Sequence, residues 1–236
     1  MSEEKVPGAK AIRPRDAATL IVIDRSGSAP KVLLGRRHER HAFMPGKYVF
    51  PGGGVEPGDS AMNVAGALHS IVESRLMAQV ARGSAAKARA LALAAIRETF
   101  EEAGLLIGSR EHGAPENPPP GSWTAFAAHG VYPGLEDLHF VARAITPPGR
   151  TRRFDARFFA VDAAHIAHRV ESVAGAESEL LDLVWQPLAD AGALDIPGIT
   201  RMVLAALEAR IAAGFGHHLP VPFIRERHGR IRREDL

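Results

Sequence analysis

The sequence predicts an α/β sandwich in which a mixed sheet is clasped between helices. Three observations lead there. Short apolar runs bounded by turn residues read as buried strands, at Ala17 to Asp24, Leu138 to Ile145, Phe154 to Val161 and Leu181 to Pro187. Between and after them lie stretches with helical periodicity, the last at Pro197 to Ala213. The 236 residues are 46% hydrophobic and 24% charged, an ordinary balance for a chain with one substantial core.

Taken in order, Met1 to Arg15 reads as a flexible leader, so the domain is expected over residues 16–215. Ala17 to Asp24 is the first strand. Ser26-Gly27-Ser28-Ala29-Pro30 turns the chain, and Lys31 to Arg36 returns as its hairpin partner. Tyr48-Val49-Phe50 is a short strand leading into Pro51-Gly52-Gly53-Gly54. Asp59 or Ser60 caps a helix over most of Ala61 to Ala81. Ser84 caps a second helix running to Ala103, with Gly104 just past its end. Pro115, Pro118, Pro119 and Pro120 make Glu111 to Gly121 a loop, followed by a short helix from Ser122 to Gly130. Two strands flank the Pro147-Pro148-Gly149 turn, and the late strand Leu181 to Pro187 precedes a helix opened by Pro197. Residues 216–236 are basic and poorly periodic and read as a solvated tail. Ala65, Leu68, Val72, Leu76 and Val80 form an apolar stripe, for packing within the molecule or for a homodimer.

Composition excludes several chemistries. With no cysteine, disulfides, zinc–thiolate sites and cysteine nucleophiles are out. A formal net charge of +2 gives no sign of a nucleic-acid partner. No apolar run is long and clean enough to span a bilayer, and Met1 to Lys10 lacks the apolar stretch of a secretory signal. Cytoplasm is the expected location. His165, His168, His217 and His218 show no metal-ligand spacing.

The chemistry is concentrated in Arg97-Glu98-Thr99-Phe100-Glu101-Glu102-Ala103-Gly104-Leu105. On a helix, Glu98, Glu101 and Glu102 fall at i, i+3 and i+4 and are surface neighbours. Leu93, Ile96, Phe100 and Ala103 fall on the opposite side as a core stripe. Crowded carboxylates repel one another, and a hard cation such as magnesium relieves that repulsion. Arg97, four residues before Glu101, is placed to brace it. Upstream, Phe50-Pro51-Gly52-Gly53-Gly54-Val55-Glu56-Pro57-Gly58-Asp59 is a glycine loop, whose residues tolerate backbone conformations closed to others.

Together the two runs resemble the Nudix box, in which Gly, five residues, Glu and seven residues precede Arg-Glu-apolar-x-Glu-Glu-x-Gly-apolar. Gly53 matches its first position and Arg97 to Leu105 its last nine. Asp59 replaces the usual Glu, Thr99 the usual aliphatic residue, and Ser60 to Ile96 the usual seven residues. The resemblance implies a Nudix-type α/β/α sandwich with an inserted helical segment at residues 60–96. It implies Mg2+ or Mn2+ held by Glu98, Glu101, Glu102 and the Gly53 (or Gly52) carbonyl, with Arg97 orienting the acids and Glu56 and Asp59 either pairing with Arg97 or standing close behind the ligands.

The resemblance also implies a base from a loop before a late strand, where Glu177 and Glu179 stand, with Glu136 and Asp137 as weaker alternatives. A second likeness narrows the substrate. Val32 to Arg37, Ala42 to Gly53, Ala144 to Pro148 and Arg152 to Phe159 resemble the coenzyme A diphosphatase branch, closest to its peroxisomal mammalian type with a long insertion in the box. The chain ends Arg233-Glu234-Asp235-Leu236, without that type's Ser-Lys-Leu address. The expected reaction is hydrolysis of coenzyme A or acyl-coenzyme A to adenosine 3′,5′-bisphosphate and a 4′-phosphopantetheine. Arg36, Arg37 and Lys47 are candidate substrate-phosphate contacts, though each also reads as an ordinary surface charge. The alternatives are an ADP-ribose or nucleotide-sugar pyrophosphatase, and a non-catalytic binding or regulatory module on the same fold. The intact carboxylates argue against the last.

Overall fold

The structure, a computed structural model, describes residues 12–40, 44–171 and 179–236. Strands β1 (Arg15–Asp24) and β2 (Lys31–Arg37) form the expected hairpin, joined at Ile23↔Val32 and Asp24↔Lys31. Beyond those pairs the two strands separate. Strand β3 (Tyr48–Val49) pairs with β2, and β4 (Gly52–Gly54) pairs with β1. The glycine run therefore enters the sheet where the hairpin opens.

Strands β7 (His139–Ile145) and β8 (Phe154–Asp162) are the pair flanking the proline turn, and β10 (Leu180–Pro187) is the late strand. The main sheet runs β10-β2-β1-β8-β7 and continues into two further strands, β11 (Pro222–Arg227) and β12 (Arg230–Asp235). It is mixed: β1 and β8 are parallel, as are β7 and β11, and the other pairs are antiparallel. A smaller sheet places β5 (Leu105–Ser109) between β6 (Tyr132–Pro133) and β9 (Ile166–Arg169).

Because side chains alternate along a strand, β1 supplies two cores at once. Leu20 and Val22 face helix α3 (Ala85–Ala103), and Ile21 and Ile23 face the cluster containing Val203, Leu204 and Leu207 of helix α5 (Gly198–Ala212). Two helical layers thus enclose the sheet, the predicted α/β/α sandwich. Among the described residues, no helix is long and apolar enough to cross a membrane.

Two expectations are corrected. The long helix over Ala61 to Ala81 is two short ones, α1 (Pro57–Ala61) and α2 (Ser70–Met77). Arg89 of α3 donates to the Ser60 and Met62 carbonyls, and the fully buried Met62 turns into the core, so the chain cannot continue as a helix there. His69 caps α2 by accepting from the Ile71 N–H, and left-handed Gln79 and Arg82 follow its end. Of the apolar stripe, Leu68, Val72 and Leu76 are buried in the core of this chain. The basic tail is also not a tail over its whole length: β11 and β12 extend the main sheet, joined by a two-residue turn at His228 and Gly229, both at positive φ.

The branch-like segment Arg152 to Phe159 serves the fold. Arg143 makes a forked pair with Asp155 at 2.8 and 2.7 Å, and the buried Arg157 reaches Asp16 at 2.7 Å. These ion pairs tie β7, β8 and β1 together.

Candidate active site

Helix α3 is the platform. Ser84 accepts from the Lys87 N–H at its start, and Gly104 closes it at φ 69° in the left-handed region that glycine enters without a Cβ penalty. Thr99 satisfies its hydroxyl on the Ala95 carbonyl at 2.8 Å, which explains how a polar residue is tolerated, fully buried, where an aliphatic one was expected. Phe100 and Ala103 are buried as the apolar stripe predicts.

Arg97 organises the acids. Its side chain is 3% exposed and all five N–H donors are used. Nε and Nη2 bond Asp59 at 2.8 and 3.2 Å, Nη2 also reaches the Gly54 carbonyl at 2.7 Å, and Nη1 lies 3.0 Å from Glu98 and 2.9 Å from Glu101. Burial works against this cation, but Asp59, Glu98 and Glu101 outweigh it and raise the Arg97 pKa. Asp59 also accepts the Glu56 N–H at 2.7 Å, so the shortened acid locks the start of α1 as well as Arg97. Glu56 itself caps α1 and does not pair with Arg97.

The three glutamates have distinct surroundings. Burial pushes the Glu98 carboxyl up to about 7, with Glu101 and Glu179 adding to the push against Arg97. Burial also raises the Glu102 carboxyl well above the usual carboxylate range, helped by Glu179 and opposed by the Gly52 N–H, which donates to Glu102 Oε2 at 2.9 Å. Its other oxygen, Oε1, is buried with no hydrogen-bond partner among the described residues. Glu101 is the most open of the three side chains, at 34% exposed against 13% for Glu98 and near-complete burial of Glu102. It borders a cavity of about 730 Å3 whose wall includes Pro118, Pro119, Pro120 and Trp123.

The glycine run works by close approach rather than by unusual backbone angles, since Gly52, Gly53 and Gly54 are not at positive φ. A Cβ at Gly52 would collide with Thr19 and the Ala18 carbonyl, and one at Gly53 with the Glu98 carboxylate. The backbone of β4 therefore lies directly against the acidic face.

These residues fit a divalent cation. An orphaned, buried carboxylate oxygen and two carboxyls that burial drives toward protonation are what a hard, oxygen-seeking cation would relieve. In the arrangement described, the Arg97 guanidinium bridges Glu98 and Glu101. No three His, Asp or Glu side chains among the described residues form a closed ligand set by themselves.

No family model matches the chain. Its structure is similar to a Nudix hydrolase from Alicyclobacillus acidocaldarius, at 29% identity over 84% of this chain and 92% of that one, with a TM-score of 0.61. The chain has the Nudix fold. Fainter likenesses are to the Nudix domain of Shewanella oneidensis NrtR complexed with ADP-ribose (12% identity, 85% and 90% covered, TM-score 0.48) and to RenU, a Nudix hydrolase of M. smegmatis (17%, 89% and 94%, 0.47). At TM-scores below 0.5, these two add nothing to the first.

Around helix α3, the other candidate residues are dispersed. Glu179 lies near enough to Glu98 and Glu102 for its charge to raise both, and it accepts a hydrogen bond from Arg37. Arg37 thus reaches the acidic cluster through Glu179. Arg36 pairs instead with Asp182 at 2.7 Å, and Lys47 with Asp195 at 2.5 Å. Glu177 lies outside the described residues. Asp137 pairs with His165 at 3.3 Å, and with Glu136 it borders a separate cavity of about 240 Å3 beside β5. Sequence reasoning missed Ser122, whose hydroxyl donates to Glu101 Oε1 at 2.5 Å. Only its place after the proline loop could have drawn attention to it.

Proposed function

We propose that this Nudix-fold enzyme hydrolyses the diphosphate bond of coenzyme A or acyl-coenzyme A, in the cytoplasm, using Mg2+ or Mn2+. The observation that carries the hydrolase reading is the acidic face of α3, braced by Arg97 against β4, with Glu101 opening on a cavity of about 730 Å3. The choice of coenzyme A is supported by the sequence resemblance of residues 32–53 and 144–159 to that branch.

Glu98, Glu101, Glu102 and the backbone at Gly53 would hold the cation. When bound, it supplies charge neutralisation at the phosphoryl oxygens and acidifies water. The chain's own groups do the rest. Arg97 fixes the rotamers of Glu98 and Glu101 before substrate arrives, so little reorganisation is left to the reaction. The half-buried Gly52 N–H and the buried Glu102 keep the glycine strand seated on the helix. Glu179, oriented by Arg37, is the candidate to take a proton from the attacking water.

Two experiments test this. With magnesium and a panel of coenzyme A, acyl-coenzyme A, ADP-ribose and nucleotide sugars, mass analysis should find adenosine 3′,5′-bisphosphate and 4′-phosphopantetheine. AMP from ADP-ribose alone would keep the enzyme and move it to the pyrophosphatase alternative. Silence with both metals would favour a binding module. Glu179→Gln should lower kcat by about a hundredfold or more, the scale of general-base loss, whereas Glu177→Gln should leave it within about threefold. The reverse result would transfer the base to Glu177.

A further inference from the structure

We infer that Ser122 is a positioning residue for Glu101, holding that carboxylate from the side opposite Arg97 in the geometry that metal binding and hydrolysis require. The inference rests on the proposed hydrolase reading of the α3 face. It begins with a helix cap that is not used as one. Ser122 stands at the N-cap of α4 (Trp123–Ala128), where a serine normally accepts a backbone N–H from the first turn. Here it makes no side-chain cap bond. Its hydroxyl is turned away from its own helix and donates to Glu101 Oε1 at 2.5 Å, across a sequence separation of 21 residues.

The first turn of α4 is secured by other groups. The Thr124 hydroxyl and N–H both bond the Gly121 carbonyl, at 2.7 and 3.0 Å. Gly121, at φ 88°, adopts a left-handed conformation that delivers the chain from the Pro118-Pro119-Pro120 run into the helix. Immediately beyond, Trp123 is buried and packs on Phe126 with ring centroids 5.0 Å apart. Phe126 meets Phe100 edge-on at 5.8 Å, and Phe100 is the residue before Glu101 on α3. Ser122 is therefore set between stiff prolines and an aromatic anchor that ties α4 to the turn of α3 carrying its partner.

Glu101 consequently has one oxygen on each of two donors, Arg97 Nη1 on Oε2 at 2.9 Å and the Ser122 hydroxyl on Oε1. A glutamate one-third exposed, on a three-bond side chain, would otherwise sample several rotamers. Two fixed donors select one, and each carboxylate oxygen retains a further lone pair for a cation. Ser122 also borders the cavity beside Glu101, so the residue that sets the carboxylate belongs to the wall facing the substrate.

The test compares Ser122→Ala and Ser122→Thr with the wild type. Mn2+ binding to the substrate-free protein is followed by electron paramagnetic resonance, alongside kcat, KM and Tm. The alanine variant should bind Mn2+ several-fold more weakly, about three- to tenfold, and lose about tenfold in kcat with little change in KM, the scale on which supporting hydrogen bonds act at metal sites. Its Tm should stay within about 2 °C, because no cap bond is lost. Threonine, which keeps the hydroxyl, should restore Mn2+ affinity and kcat together. Unchanged Mn2+ affinity and kcat in Ser122→Ala would overturn the inference. So would a loss in both variants that tracks a falling Tm, which marks a purely structural residue. Failure of the wild type itself to bind Mn2+ would instead bring down the hydrolase reading on which the inference stands.

Discussion

Glu101→Gln should lose at least about a hundredfold in Mg2+-dependent hydrolysis while remaining folded, the loss expected when a preorganised charge is removed from a reacting centre. The side chain keeps its shape and loses only its charge. That charge is the most open of the acidic face, at the edge of the cavity and between two fixed donors. Glu98 and Glu102 are more deeply set, and burial makes each costly to ionise, whereas Glu101 reaches the cavity edge. Little of the fold depends on it, and Tm should fall by no more than a few degrees. Measured kcat within about threefold of wild type, at saturating magnesium, would remove Glu101 from the site.

The second large effect is on stability. Arg97→Met should destabilise the protein by about 3–5 kcal/mol, because it strands a buried partner rather than removing an ion pair cleanly. Asp59 has no exposed surface and takes two of the five guanidinium bonds, and the Gly54 carbonyl takes another. For a chain of this size that corresponds to a fall in Tm on the order of 10 °C. Arg97→Lys should recover little, since a single ammonium cannot reproduce a planar fork with five donors. Adding Asp59→Asn to Arg97→Met should cost less than the sum of the two single changes, because the amide needs no counter-charge. Activity should not return in the double variant, since Glu98 and Glu101 still lack their brace. Thermal denaturation of the four variants settles the matter, and an Arg97→Met protein melting within about 2 °C of wild type would contradict the account.

The acidic helix was readable because its information is local. Ser84 and Gly104 mark its ends, the apolar stripe marks its buried side, and the spacing of Glu98, Glu101 and Glu102 follows from 3.6 residues per turn. The β1–β2 hairpin was readable for the same reason, an apolar run turned back by Ser-Gly-Ser-Ala-Pro. The β11–β12 hairpin was overlooked because its strands are charged. Arginine and glutamate suit an exposed edge strand, where they discourage pairing with other chains, yet the same composition reads as a solvated tail. Its signal was the His228-Gly229 turn, visible but outweighed by charge.

The inserted segment failed differently. Ala61 to Ala81 has respectable helical periodicity, and nothing local announces that Arg89 will take the Ser60 and Met62 carbonyls. The same holds for Gly52 to Gly54: their glycines are legible, but that they make room for Thr19 and Glu98 depends on which strand and helix lie beside them.

By itself, then, the sequence determined the sandwich, the helix that carries the acids and the identity of Arg97 as their brace, since each follows from period, caps and charge within a short window. Only the tertiary structure decided that Asp59 is the buried partner of Arg97, that Glu179 shares the field of Glu98 and Glu102, and that Ser122 gives its hydroxyl to Glu101 rather than to its own helix. Those pairings join residues 21 to 81 positions apart, from Ser122–Glu101 to Glu179–Glu98. Electrostatics and hydrogen bonds act over a few ångströms of space, and only packing of the β4 strand, α1 and the proline loop onto α3 brings those ångströms into being.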